Sequence, residues 1–209
     1  ALVWAEKTVP TGVASLLIAT VPLWMLLLEW LRHGGVRPNG KVFLGLALGF
    51  AGIGLLIGPE SLAGSGGLNP IGALAILGAA FCWAYGSLYS RRAKLPDSPI
   101  LGTGMQMLGG GAMLVVMGLV GGETPQLAAG GWSLQSLLSI GYLTVFGSII
   151  AFTAYIWLLR VSTPSRVSTY AFVNPVVAVF LGWAFRGEVL SGRSLVAAAV
   201  IVAAVALIT

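Results

Sequence analysis

The stretch VSTYAFVNPVVAVFLGWAF, residues 167–185, decides the fold. It carries no charged residue and stops at Arg186-Gly187-Glu188. A helix needs about 20 mostly apolar residues to cross the hydrocarbon core of a bilayer. A barrel strand would alternate apolar and polar positions, and this stretch does not. Lipid offers the backbone no hydrogen bonds, so a continuous apolar run satisfies its own amides only as a helix.

The same reading repeats outward. Residues 134–159 end at Arg160, residues 100–121 at Gly121-Gly122-Glu123, and residues 70–90 at Arg91-Arg92-Ala93-Lys94. Residues 42–58 end at Pro59-Glu60, and residues 9–31 at Arg32-His33-Gly34-Gly35. Residues 194–208 make a short last span, and residues 1–5 read as the stub of a span ending at Glu6-Lys7. The expectation is an all-α, polytopic transmembrane helix bundle of about seven spans and a stub. The opening Ala1-Leu2-Val3-Trp4-Ala5 has no charged n-region before it, so it does not read as a signal peptide. It reads as a polypeptide joined part-way through.

Composition agrees. Of 209 residues, 57% are hydrophobic and 8% charged. A soluble domain needs about 25% charged residues to clothe its surface. Thirty glycines beside seven tryptophans also suit spanning helices, which pack closely through small residues. The net charge of +5 does not point to nucleic acid, because the basic residues lie in short loops. Arg32, Arg37, Lys41, Arg91, Arg92, Lys94, Arg160 and Arg166 fall on one side, and Lys7, Arg186 and Arg193 on the other. The richer side is expected to be cytoplasmic, which places the carboxyl terminus inside. Cys82 is the single cysteine, so neither a disulfide within the chain nor a cysteine metal site can form.

A shift of 153 residues aligns Pro22 with Pro175, Leu28 with Leu181, Trp30 with Trp183, Gly34 with Gly187, Val36 with Val189 and Ala51 with Ala204. Each copy has a span with an internal Pro, a Gly-containing basic break and a final small-residue span. The charge pattern makes the two copies run in opposite directions, as a duplicated unit with an odd number of helices must. Inverted repeats of this kind characterise secondary transporters. Residues 60–69 form the flexible boundary between the halves.

Trp83 followed by Ala84-Tyr85-Gly86-Ser87-Leu88-Tyr89, and above all Tyr170-Ala171-Phe172-Val173-Asn174-Pro175-Val176-Val177-Ala178 with Gly187-Glu188 beyond, resembles the EamA-type branch of the drug/metabolite transporter superfamily. The segment from Thr11 to Leu23 looks like its first-half counterpart, with Gly35 where the Glu would stand. The resemblance implies inverted five-helix repeats, the first incomplete. Residues 1–60 would be the carboxyl-terminal part of the first repeat and residues 61–209 the whole second repeat. It also implies an integral protein of the cytoplasmic (inner) membrane. Coupling to a proton or solute gradient and a homodimer stay open.

The residues alone offer no enzyme. His33 lies in a loop, no second His accompanies it, and no carboxylate cluster could hold a metal or run acid–base chemistry. No metal and no cofactor are therefore expected. Gly109-Gly110-Gly111 lies inside a span without a Lys and reads as a helix-packing site rather than a phosphate cradle. Glu29 is expected to pair with Arg32, three residues on. Glu188 reads as an interfacial ion pair or cap rather than a coupling acid, which belongs near the midplane.

Polar and aromatic groups inside spans are the candidates for solute contact. Tyr170 and Asn174 share a helix face. Pro175 has no N–H, so the Ala171 carbonyl one turn earlier loses its helical donor. A kink beside an amide suits a gate or a binding element, and a purely structural bridge by Asn174 stays open. Trp83 and Tyr155 are assigned to the same cavity as stacking groups, with Thr20, Pro22 and Trp24 as first-half counterparts. Gln106 and Ser148 add polar groups from two other spans. Pro22 and Pro175 are the expected kinks. The function expected is secondary transport, as export of small metabolites, amino acids or drugs by alternating access. A non-transporting membrane subunit or scaffold is the rival, distinguished by a dry interior.

Overall fold

The computed structural model describes Val9 and residues 11–32, 37–58, 69–122, 133–186 and 191–208. Among them every regular element is helical. In chain order these are α1 (Thr11–Ile18), α2 (Val21–Leu31), α3 (Gly40–Ile57), α4 (Pro70–Ser90), α5 (Pro99–Val120) and α6 (Leu134–Tyr142). A π-helical segment, Leu143–Ala151, follows, and then α7 (Phe152–Val161), α8 (Pro164–Ser168), α9 (Tyr170–Arg186) and α10 (Gly192–Ile208). The helical bundle read from the sequence is what forms. Six stretches are long and apolar enough to cross a bilayer: Val13–Leu31, Gly40–Ile57, Pro70–Ser90, Pro99–Val120, Leu134–Val161 and Pro164–Phe185. Gly192–Ile208 is a shorter apolar helix. The stub at residues 1–5, His33, Glu188 and most of the 60–69 linker lie outside the described residues.

Local chemistry explains where the helices begin. The Asn69 side chain accepts from the Ile71 and Gly72 amides at 3.0 and 3.2 Å, and Pro70 follows it. Ser98 accepts from the Leu101 amide at 3.4 Å with Pro99 behind it. A polar cap followed by Pro suits a helix start, since Pro lacks only an N–H that would have no helical partner there. The expected Glu29–Arg32 pair forms, at 3.5 Å.

The chain forms two compact units, one of residues 1–89 and 162–209, the other of residues 90–161. In the first, α3 lies along α10 and touches α9. The contact works because α3 presents glycines. A methyl group on Gly45 would sit 2.9 Å from the Ala204 carbonyl, one on Gly49 2.9 Å from the Phe172 ring, and one on Gly52 2.6 Å from Ile201. With no hydrophobic effect between helices in lipid, close backbone approach supplies the dispersion energy. Phe172, Ile53 and Ile201 are fully buried at the centre of this cluster. At the end of α3, Gly58 adopts φ +80°, and the Arg193 guanidinium lies against it.

In the second unit α5 packs on α7. The Thr153 hydroxyl donates to that of Thr103 at 3.2 Å, a polar tie between the two helices. Arg160 donates to the Asp97 and Pro96 carbonyls at 3.0 and 2.9 Å, which fixes the turn before α5. Beyond their own helix backbone, no atom of the described residues comes within 4 Å of a methyl group placed on Gly109, Gly110 or Gly111, so the packing partner expected of this run is not among the described residues. Val120, at 84% exposure, is likewise uncovered among the described residues.

Three spans are not continuous α-helices. Val13–Leu31 breaks at Ala19–Thr20, and Pro164–Phe185 breaks at Thr169. At both breaks a threonine hydroxyl donates back to the carbonyl three residues earlier, Thr20 to Leu17 at 2.6 Å and Thr169 to Arg166 at 2.7 Å. Leu134–Val161 carries the π-helical segment, where the Phe152 amide reaches the Gly147 carbonyl. Broken helices persist at membrane depth only where side chains or a cavity re-satisfy the backbone.

Candidate functional site

The broken spans of the first unit meet at a pocket of about 530 Å³. Its polar lining is Ser15, Tyr170 and Asn174. Ile18, Leu56 and Ile57 form apolar wall from α1 and α3, and Ala171, Pro175, Ala178 and Val179 from α9. The volume lies within the ~300–1,000 Å³ range of small-molecule sites. Mostly apolar walls with a few converging polar groups are also the usual pattern of such sites.

The sequence places Tyr170, Asn174 and Pro175 on one helix, and the structure brings all three to this pocket. Asn174 is exposed at its surface, near the middle of the Pro164–Phe185 span. Among the described residues its amide makes no hydrogen bond within the protein, so both its donor and its acceptor are open to a bound molecule. Ser15, Ile18, Leu56 and Ile57 are partners that sequence reasoning passed over. A signal for Ile18 was present. Pro22 lacks an N–H just as Pro175 does, and the carbonyl one turn before Pro22 belongs to Ile18. Pro175, inside α9, strips the helical donor from Ala171, and Ile18, one turn before Pro22, ends α1; both residues line the pocket.

The remaining candidates stand elsewhere. Thr20 is half-buried and occupied with the Leu17 carbonyl. Pro22 is buried, and neither it nor Thr20 belongs to the described lining. Trp83 is 42% exposed on α4 and is also outside that lining. Trp24 packs edge-on against Phe81 at 5.4 Å, and its buried indole N–H has no partner among the described residues. Tyr155, Gln106 and Ser148 belong to the second unit and are half-buried there. Gln106 donates to the Gly102 carbonyl of its own helix at 3.3 Å. Tyr155 lies against Phe152 at 6.1 Å, and Ser148 sits in the π-helical segment. Among the described residues no three His, Cys, Asp or Glu side chains gather where a metal could be held.

Comparison with known proteins identifies the family. Residues 70–209 match the EamA-like transporter family. Over 204 residues the chain is 41% identical to the Uncharacterized inner membrane transporter YedA of Escherichia coli (strain K12), covering 98% of this chain and 63% of that protein. It is 28% identical over 200 residues to the Uncharacterized transporter YvbV of Bacillus subtilis (strain 168), covering 95% of this chain and 63% of that one. The chain thus spans a little under two thirds of these relatives. A protein of known crystal structure superposes with a TM-score of 0.81 at 24% identity, over 100% of this chain and 70% of that one, and so shares the fold.

Proposed function

Because the chain belongs to the EamA-like transporter family, we propose that it forms the solute-carrying part of a secondary transporter that moves small metabolites, amino acids or drugs by alternating access, in the direction of export. The observation that carries this reading is the pocket at Asn174, set where two broken, proline-bearing spans come together. Discontinuous helices at the bilayer midplane are how many secondary transporters build solute sites. Residues 1–60 and 61–209 would be the two inverted repeats, exchanging conformations about that site. The cytoplasmic membrane is the proposed location, in keeping with the inner-membrane naming of the YedA relative. The basic loops argue for an inward-facing carboxyl terminus. A gradient of protons or of a second solute would supply the driving force.

Efflux from proteoliposomes tests the reading. Asn174→Ala and Tyr170→Ala are each expected to slow movement of a carried solute about tenfold, the size of one lost hydrogen bond in a desolvated site. Wild-type rates in both variants, for every solute moved, would remove the pocket from the pathway. A protein that moves no solute at all would favour the scaffold reading.

A further inference from the structure

The pocket at Asn174 is rich in acceptors and poor in charge. No Lys, Arg, His, Asp or Glu stands among its described lining residues. Ile18 and Ala171 keep carbonyls that Pro22 and Pro175 cannot serve. Ile18 is also the last residue of α1, so one helix carboxyl end, with its partial negative charge, reaches the pocket, while the end of α3 beyond Ile57 is already met by the Arg193 guanidinium against Gly58. At the amino end of α9 the Phe172 and Val173 amides donate to the Thr169 carbonyl at 3.0 and 3.3 Å, within the helix's own first turn. An anion here would find no cationic side chain among the described lining residues, and an uncompensated charge is costly in an apolar surround. A cation would find no carboxylate among them either, and would be as costly to bury.

We infer that the pocket selects solutes without an ionised group, whose polar end is rich in N–H donors and whose remainder is apolar, such as a primary carboxamide beside an aromatic ring. This rests on the pocket being the solute site and narrows the solutes proposed for it. The Asn174 amide supplies the matching acceptor and one donor, and the walls of Ile18, Leu56 and Val179 take the apolar body.

Three compounds that share an indole test the inference: neutral N-acetyltryptophanamide, anionic N-acetyltryptophanate and cationic tryptophanamide. Calorimetric titration into the protein in lipid nanodiscs is expected to show the neutral amide binding at least about tenfold more tightly than either ion. Asn174→Leu is expected to weaken the neutral amide about tenfold. Asn174→Asp, which places a carboxylate among the acceptors, is expected to move preference toward the cation. An ion that binds the wild type as well as the neutral amide does, or no binding by any of the three, overturns the inference. If Asn174→Asp reorders the affinities while the wild type prefers an ion, the pocket remains the site and only its selectivity is misread. If Asn174→Asp and Asn174→Leu both leave all affinities unchanged, the site assignment falls with it.

Discussion

Ala178→Trp is expected to stop solute movement while leaving the fold intact. Ala178 lies one turn beyond Asn174 on α9 and lines the same pocket. It is exposed, so a larger side chain displaces no packed core. An indole there would occupy space that a solute needs in a pocket of about 530 Å³. Efflux is expected to fall more than tenfold, beyond the effect of removing the Asn174 amide, because exclusion denies the solute its apolar contacts as well as its hydrogen bond. The thermal midpoint of the purified protein should stay within roughly the ±0.5 kcal/mol that surface substitutions cost. Undiminished efflux with an unchanged midpoint would place the pathway elsewhere.

Gly49→Leu is expected to damage stability and transport together. The side chain would enter the space of the Phe172 ring, which is fully buried between α3, α9 and α10. Phe172 already meets Phe50 edge-on at 6.0 Å, so it has little room to turn. Relief requires α9 to move, and α9 carries Tyr170, Asn174 and Pro175. Overpacking of this kind costs about 3 kcal/mol, which corresponds to a midpoint roughly 10 °C lower for a chain of this size. Gly54→Leu is the control on the same helix. No described atom lies within 4 Å of a methyl group at Gly54, so its midpoint should hardly change. Equal losses in the two variants would mean that contact on the α3 face does not set the cost, since Leu favours the helix over Gly at both positions.

Much of the architecture was legible because hydropathy acts span by span. The helix ends fall within a few residues of the charged and Gly/Pro breaks, since a residue's cost in lipid does not depend on its neighbours' arrangement. The Glu29–Arg32 pair was legible for the same local reason, being one helical turn apart. What the sequence could not supply is which faces meet. Gly109-Gly110-Gly111 and the Gly45, Gly49 and Gly52 set look equally suited to packing, yet among the described residues only the second closes on another helix. That difference is tertiary. The π-helical segment at Leu143–Ala151 was silent as well, because an apolar run reads alike with either hydrogen-bond register. At the site, the Tyr170–Asn174–Pro175 segment could be read from spacing and from the chemistry of proline. Leu56 and Ile57 could not, since nothing local distinguishes them from other apolar residues near the end of a span.

Alternating access requires water and solute to reach Asn174 from each face of the membrane in turn. The direct measurement is thiol labelling of Asn174→Cys in a Cys82→Ser background, which removes the exposed native thiol. A membrane-impermeant reagent would be applied to vesicles of each orientation. Modification is expected from both faces, slowed by a transported solute on either. Failure to label from either face, while a lipid-soluble maleimide reacts readily, would show a dry, lipid-facing residue and contradict alternating access at Asn174.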